Sequence, residues 1–160
     1  MNLTGVLLLA AGAAIGATPT VTAKWTCADA GGEYIYLSGD ARVVDKACEI
    51  RASRAYVFWD GTNDLRKVVA FGNVAVTNGT RCAYGDTMLY FSDEGLVVLS
   101  AGTGRMAEVR DTATGDDKTA VRGAKVRFWT QTGQAEVLEA ETKAPGQKGA
   151  RGGFNGTFGN

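Results

Sequence analysis

Arg122-Gly123-Ala124-Lys125-Val126-Arg127-Phe128-Trp129 reads as a half-buried β-strand. Ala124, Val126 and Phe128 fall on one face and Lys125 and Arg127 on the other, the period of two that a pleated strand imposes. The same figure occurs twice earlier, as Arg51-Ala52-Ser53-Arg54-Ala55-Tyr56-Val57-Phe58 and as Tyr84-Gly85-Asp86-Thr87-Met88-Leu89-Tyr90-Phe91. Each copy sets a small residue ahead of a run ending in aromatics. A turn follows each: Asp60-Gly61, Asp93-Glu94-Gly95 and Thr132-Gly133. The small residues Ala52, Gly85 and Gly123 are 33 and 38 positions apart. A unit reused at such spacing implies stacked hairpins whose apolar faces are covered only by their neighbours.

Between the copies lie shorter runs of the same kind: Tyr34-Ile35-Tyr36-Leu37, Val68-Val69-Ala70-Phe71, Leu96-Val97-Val98-Leu99 and Ala135-Glu136-Val137-Leu138. They are β-branched or aromatic and bounded by Gly, Asn and Asp, as strands are. Two of them meet a Gly-Asp or Gly-Asn pair, Gly39-Asp40 and Gly72-Asn73, and resume as Ala41-Arg42-Val43-Val44 and Val74-Ala75-Val76-Thr77. Glycine at such a junction predicts a bend or bulge where a sheet turns a corner. Carrying the alternation over the repeats places Met88 and Tyr90 inward, and Ala55, Val57 and Trp59. Residues 55–59 are apolar on both faces, because Tyr56 and Phe58 alternate with them, so the register of that strand stays open. Ile35, Leu37, Val68, Val74, Val76, Val97 and Leu99 are also placed inward. No helix longer than a turn is needed after residue 23. The expected fold is all-β, an open twisted β-jelly roll built from repeated antiparallel hairpins.

The chain has 160 residues, one domain with terminal extensions, and 17 basic against 17 acidic residues. A net charge of zero gives no electrostatic footprint for nucleic acid. There is no histidine, so the commonest general base and the commonest zinc ligand are missing. Asp86, Asp116 and Asp117 lie near turns without a nucleophile or a pairing partner, which argues against an enzyme. No cofactor and no metal site are expected. Pro19 and Pro145 stand outside the repeats, leaving residues 21–143 free to pair as ladders.

Residues 5–17, GVLLLAAGAAIGA, are apolar and small. They are too short for a bilayer, which needs about 20 residues, and resemble the core of a secretory signal peptide. Cleavage after Ala17 or Ala23 is expected, although no basic residue precedes the run. The organisation expected is a signal peptide over 1–23, a β domain over 24–143, and a Gly-rich tail over 144–160 with no packed structure. Phe154 and Phe158 offer the tail a short docking element at most.

The motifs Tyr36-Leu37-Ser38-Gly39-Asp40-Ala41-Arg42-Val43, Ile50-Arg51-Ala52-Ser53-Arg54-Ala55-Tyr56-Val57 and Ala70-Phe71-Gly72-Asn73-Val74-Ala75-Val76 resemble the OstA-like, LptA-type family of periplasmic lipopolysaccharide-transport proteins. Tyr84 to Tyr90 and Val121 to Val126 continue the resemblance, which spans about residues 21–142. Ser53 departs from it, standing where the family often has Asp. The resemblance implies a V-shaped apolar interior that binds the acyl chains of lipopolysaccharide. It also implies end-to-end stacking by strand pairing, with copies of itself and with other OstA-like components of the inner and outer membranes. The implied lining is Ile35, Leu37, Ile50, Ala55, Val57, Trp59, Val68, Val74, Val76, Met88, Tyr90, Val97, Leu99, Ala124, Val126 and Phe128.

Two alternatives remain open at the level of sequence. One is a structural or adhesive β-repeat protein with a closed core and no lipid ligand. The other is a membrane-anchored member of the same pathway, if residues 5–17 are kept. Arg51, Arg54, Arg122, Lys125 and Arg127 either meet lipid phosphates at a rim or form a solvated outer face. The cysteines Cys27, Cys48 and Cys82 are too scattered for a metal motif. Cys27 and Cys82 fall at matching repeat positions, which favours a Cys27–Cys82 disulfide over Cys27–Cys48, with three free thiols as the other possibility.

Overall fold

The computed structural model describes residues 5–7, 19–60, 64–113, 120–139 and 155–156. Most of the expected signal segment and tail, with Phe154 and Phe158, lies outside the described residues, as do Gly61, Asp116 and Asp117. The described strands are β1 (Gly5–Leu7), β2 (Thr20–Ala23), β3 (Trp25–Ala28), β4 (Tyr34–Val44), β5 (Glu49–Trp59), β6 (Leu65–Asn78) and β7 (Arg81–Phe91). They continue as β8 (Leu96–Ser100), β9 (Ala107–Asp111), β10 (Val121–Gly123), β11 (Lys125–Trp129), β12 (Ala135–Glu139) and β13 (Asn155–Gly156). Every pairing is antiparallel, and all belong to one sheet that does not close on itself.

That sheet is folded along a line. The long strands β4, β5 and β6 each cross it, and their ladders skip register there, between Ser38 and Ala41, Arg51 and Arg54, and Phe71 and Val74. On one side of the line β3, β8, β11 and β12 join halves of β4–β7 to make a first leaf. On the other side β2, β9 and β10 join the remaining halves to make a second leaf. The Gly-Asp and Gly-Asn pairs make the corner. Gly39 and Asp40 have φ of 77° and 52°, and Gly72 and Asn73 have φ of 79° and 48°. That left-handed region costs least for Gly and is tolerated next best by Asn and Asp, which explains the residue choice. Gly72 has a second reason: a Cβ there would lie 2.9 Å from Ser53 Oγ on β5.

Alternation carries the apolar side chains of both leaves into one interior. Leu37, Val57, Val68, Tyr90, Val97 and Phe128 of the first leaf pack with Val21, Val43, Ile50, Val74, Val76 and Val109 of the second. Burial of a side chain of this size contributes about 1.5–3 kcal/mol, so the interior is the main source of cohesion. The open register of β5 resolves with Ala55 and Val57 inward. Tyr56 and Phe58 turn outward and stack with Tyr34, Tyr36 and Phe71, at ring separations of 4.9–6.3 Å. The sheet also takes in β2, with Val21 and Ala23 buried, just ahead of the expected start at residue 24.

Candidate functional site

Hairpin turns from both leaves form the rims of the interior. The first-leaf rim includes the turns around residues 29–33, 92–95 and 130–134 and the ends of β5 and β6, where Asp60 N–H donates to the Asp64 carbonyl at 3.0 Å; the second-leaf rim includes the turns around 45–48 and 79–80. The rims are tied together. Tyr90 of β7 crosses the interior and donates its hydroxyl to Asp45 Oδ2 in the β4–β5 turn at 2.8 Å. Ser92 Oγ donates to the same oxygen at 3.0 Å. Farther along, Asn78 Nδ2 donates to the carbonyl of Thr130 at 2.7 Å. Beside that bond the Arg81 guanidinium fills the space where any side chain at Gly133 would go. Gly133 also has φ of 70°, so both space and backbone require glycine there.

These ties sit in a medium that disfavours charge. Burial raises the Tyr90 hydroxyl above its usual range, and the neighbouring Cys48 and Asp45 add to the shift. Burial likewise pushes the Cys48 thiol up to about 12, with the Asp45 charge adding to it. Both groups are therefore neutral at ordinary pH, and Tyr90 acts as a donor.

The residues expected to line the interior are brought together with two exceptions. Ile35, Leu37, Ala55, Val57, Val68, Met88, Tyr90, Val97, Leu99, Val126 and Phe128 face inward from the first leaf, and Ile50, Val74 and Val76 from the second. All fourteen are at most 6% exposed, so the interior is packed and closed by its tied rims. Trp59 sits at the rim, half-buried, with its ring against the core. Ala124 falls in the corner between β10 and β11, where alternation is interrupted. Gly123 takes the buried place, and the Ala124 carbonyl accepts the Ala101 N–H at 2.9 Å.

Other interior residues escaped sequence reasoning, among them Ala41, Ala52, Ala70, Ala83, Ala107, Val109 and Ala135. Alanine carries too little hydrophobic contrast to mark a face. The signals present were the alternations of Ala41 and Val43 around Arg42, of Ala107 and Val109 around Glu108, and of Ala135 and Val137 around Glu136.

The Cys27–Cys82 disulfide is not formed; all three cysteines are free. Cys27 pairs opposite Tyr36 in the first leaf, and Cys82 opposite Thr77 in the second, with β4, β5 and β6 between their strands. Followed across the ladders, their rows meet β5 at Tyr56 and Glu49, seven residues apart. That is about 23 Å along a strand at about 3.3 Å per residue. A disulfide requires Cα atoms within about 7 Å. Matching repeat positions are stacked through the sheet and need not be neighbours.

The basic residues occupy the outer faces. Glu49 takes Arg42 at 2.9 Å and Arg51 at 2.6 Å, and these bonds hold its carboxyl down at about 2. Arg122 bonds Glu108 at 3.1 Å, and Arg127 bonds Glu136 at 2.6 Å. Arg54 is exposed and Lys125 half-buried, both on the outward side. Asp86 is a brace, accepting from the Gly102 N–H and pairing with Arg105 at 2.8 Å. Among the described residues no group of three or more His, Cys, Asp or Glu side chains converges as a metal site.

The family described as LptA/(LptD N-terminal domain) LPS transport protein matches residues 20–134. Among solved structures, the chain is similar to LptH of Pseudomonas aeruginosa, the LptA homologous periplasmic component of the conserved lipopolysaccharide transport device. The two share 18% identity over 81% of this chain and 89% of that one, with a TM-score of 0.63. That likeness speaks for the fold. No curated protein matches the sequence.

Proposed function

Because the chain belongs to the family of LptA and LptD N-terminal-domain lipopolysaccharide transport proteins, we propose that it binds lipopolysaccharide by its acyl chains and passes it along a periplasmic bridge. The chain acts without catalysis and without a cofactor. Export uses residues 1–23, and removal after Ala17 keeps β2 and its buried Val21 in the sheet, whereas removal after Ala23 would take them away. Open edge strands join it to OstA-like components at the inner and outer membranes and to copies of itself.

The observation that carries this reading is the interior: one continuous apolar layer fed by both leaves, hinged along a glycine-containing corner and closed by a few polar ties at the rims. Acyl chains need no directional partner there, since each buried CH₂ contributes about 0.8 kcal/mol. In the tied state there is no room for them. Loading therefore requires the rims to part, with side chains such as Val126 and Phe128 exchanging protein contacts for lipid contacts.

The tight packing itself favours a second reading, a structural β-repeat protein with a sealed core. A photo-crosslinking side chain at Val126, with Lys125 as the outward control, separates the two in protein shown to be folded by circular dichroism. Crosslinking of lipopolysaccharide at Val126 and not at Lys125 is the expected result. Silence at both positions rejects transport in favour of the sealed core.

A further inference from the structure

A cavity lies outside the packed interior, at the first-leaf rim. It has a volume of about 770 Å³ and runs between the β3–β4 turn, the end of β5, the start of β6 and the β7–β8 turn. Its chemistry differs from that of the interior. Phe58, Lys67 and Phe91 occupy one cross-strand row, so their side chains share a face, and Lys67 Nζ lies 4.4 Å from the Phe58 ring centroid. Around this row stand Arg66 and the carboxylates of Glu33, Asp60, Asp93 and Glu94.

Trp59 joins the cavity to the interior. Its ring packs against the core, it also lines the cavity, and its Nε1–H is buried with no hydrogen-bond partner among the described residues. A buried donor left unpaired costs free energy, and such groups are uncommon in folded proteins. The residue that carries the orphan lines the cavity together with two aromatic rings, two cations and several carboxylates. Rings cover the C–H face of a pyranose, carboxylates accept its hydroxyls, and an N–H or a cation donates to its oxygens. A bare acyl chain would leave the Trp59 N–H and the carboxylates of Glu33, Asp93 and Glu94 without a hydrogen bond from the ligand. A polyanionic nucleic acid would meet the carboxylates.

We propose that this rim cavity is a saccharide-binding site, and that entry of the saccharide uncovers the buried Trp59 Nε1–H as a donor to a sugar oxygen. The inference rests on the transport reading. An amphiphile with its acyl chains in the interior must carry its saccharide past the rim, and Trp59 touches both compartments. Free oligosaccharide offers the same chemistry.

The test uses full-length, ¹⁵N-labelled protein and follows the indole N–H resonances of Trp25, Trp59 and Trp129, with Trp59 assigned by its loss in Trp59→Phe. The probes are the acyl-free oligosaccharide released from lipopolysaccharide by hydrolysis, and intact lipopolysaccharide. The expected result is a saturable shift of the Trp59 resonance with both probes, Trp25 and Trp129 staying in place. The double substitution of exposed Arg66→Ala and Asp93→Ala is expected to weaken oligosaccharide binding at least fivefold while leaving the circular dichroism unchanged. A Trp59 resonance unmoved by oligosaccharide, or binding indifferent to the double substitution, overturns the proposal. Crosslinking at Val126 reads the other reading separately. A crosslink with an unmoved Trp59 rejects the rim site and keeps acyl transport. A Trp59 shift without a crosslink upholds saccharide recognition, its source then being free oligosaccharide, and rejects acyl transport.

Discussion

Tyr90 and Asp45 join the two leaves: the phenol of one leaf donates across the interior to a carboxylate in a turn of the other, at 2.8 Å. Asp45 lies near solvent and keeps Ser92 as a second donor at 3.0 Å. Loss of the Tyr90 hydroxyl therefore leaves no buried orphan. Tyr90→Phe keeps the ring and removes only the tie, so a destabilisation of about 1 kcal/mol is expected. Adding Asn78→Ala cuts the tie to Thr130 as well. The double variant should bind an apolar dye, or lipopolysaccharide, more readily than the wild type while its urea midpoint falls. A lower midpoint with no gain in binding would mean that the ties stabilise the fold without gating it.

The thiols should separate by reactivity. Cys27 is exposed on β3, whereas Cys48 is buried beside Asp45 with its thiol pushed up to about 12. The thiolate is the reacting species, so at pH 8 Cys48 is protected both sterically and electrostatically. Under native conditions an aromatic disulfide reagent should modify Cys27 within its mixing phase and Cys48 only at the rate of unfolding. Non-reducing mass spectrometry of untreated protein should find no intramolecular bridge. Fast labelling of Cys48 would show that the rim near Asp45 opens far more often than the tied structure implies.

The Glu49 carboxyl sits at about 2, down from 4.5, because Arg42 and Arg51 hydrogen-bond its charged form. Its folded value is depressed, so its contribution is complete above the unfolded value near 4.5. That contribution fades as pH falls from there through about 2. The group is near the surface, and solvent screening holds the effect to about 0.2–1 kcal/mol. Glu49→Gln should lower the denaturation midpoint at pH 6, and the difference from wild type should shrink steadily between pH 4.5 and pH 2. A difference that stays constant over that window would assign the loss to packing instead of charge.

The corner tests the link between sequence and fold. Gly72 has φ of 79°, and an added Cβ would meet Ser53 Oγ at 2.9 Å and Ser53 Cβ at 3.0 Å. Gly72→Ala should therefore cost about 1–3 kcal/mol, from backbone strain and the clash together. Ser53→Gly in the same chain removes the clash and leaves the strain, so it should recover only part of the loss in a double-mutant cycle. Full additivity of the two changes would show that the corner relaxes and that Ser53 is not the limiting contact.

These corners were readable in advance because their physics is local. A Gly-Asp or Gly-Asn pair between two alternating runs announces a positive-φ bend by itself. The inward faces of β4, β6, β7, β8 and β11 were likewise legible from period-two patterning. What escaped depends on partners distant in sequence. Tyr90–Asp45 and Asn78–Thr130 join residues 45 and 52 positions apart, and no local pattern marks them. β5 hid its register because its outer face is aromatic too, serving the cluster of Tyr34, Tyr36 and Phe71. The cysteine pairing failed because equivalent repeat positions lie on different leaves.

The edge strand β3 gives the most direct test of stacking. Its bonded rows can be placed from the turn that follows it. Asp29 N donates to Tyr34 O at 3.0 Å, so Cys27 and Trp25 occupy the hydrogen-bonded rows with Tyr36 and Ser38. Alternation then points the N–H and C=O groups of Thr26 and Ala28 away from β4, towards an edge that no other described strand covers. Such an edge accepts another strand readily. Thr26→Pro deletes one outward donor and leaves the β3–β4 ladder intact, since proline is tolerated where its missing N–H faces away. Wild-type protein should show scattering mass that rises with concentration, and Thr26→Pro should remain monomeric at the same concentrations with unchanged circular dichroism. Association that survives the proline would move the stacking contact off β3 and onto the opposite edge, where β12 runs on beyond its short pairing with β13 and Leu138 is exposed. Wild-type protein that is monomeric throughout would remove end-to-end pairing from the transport mechanism.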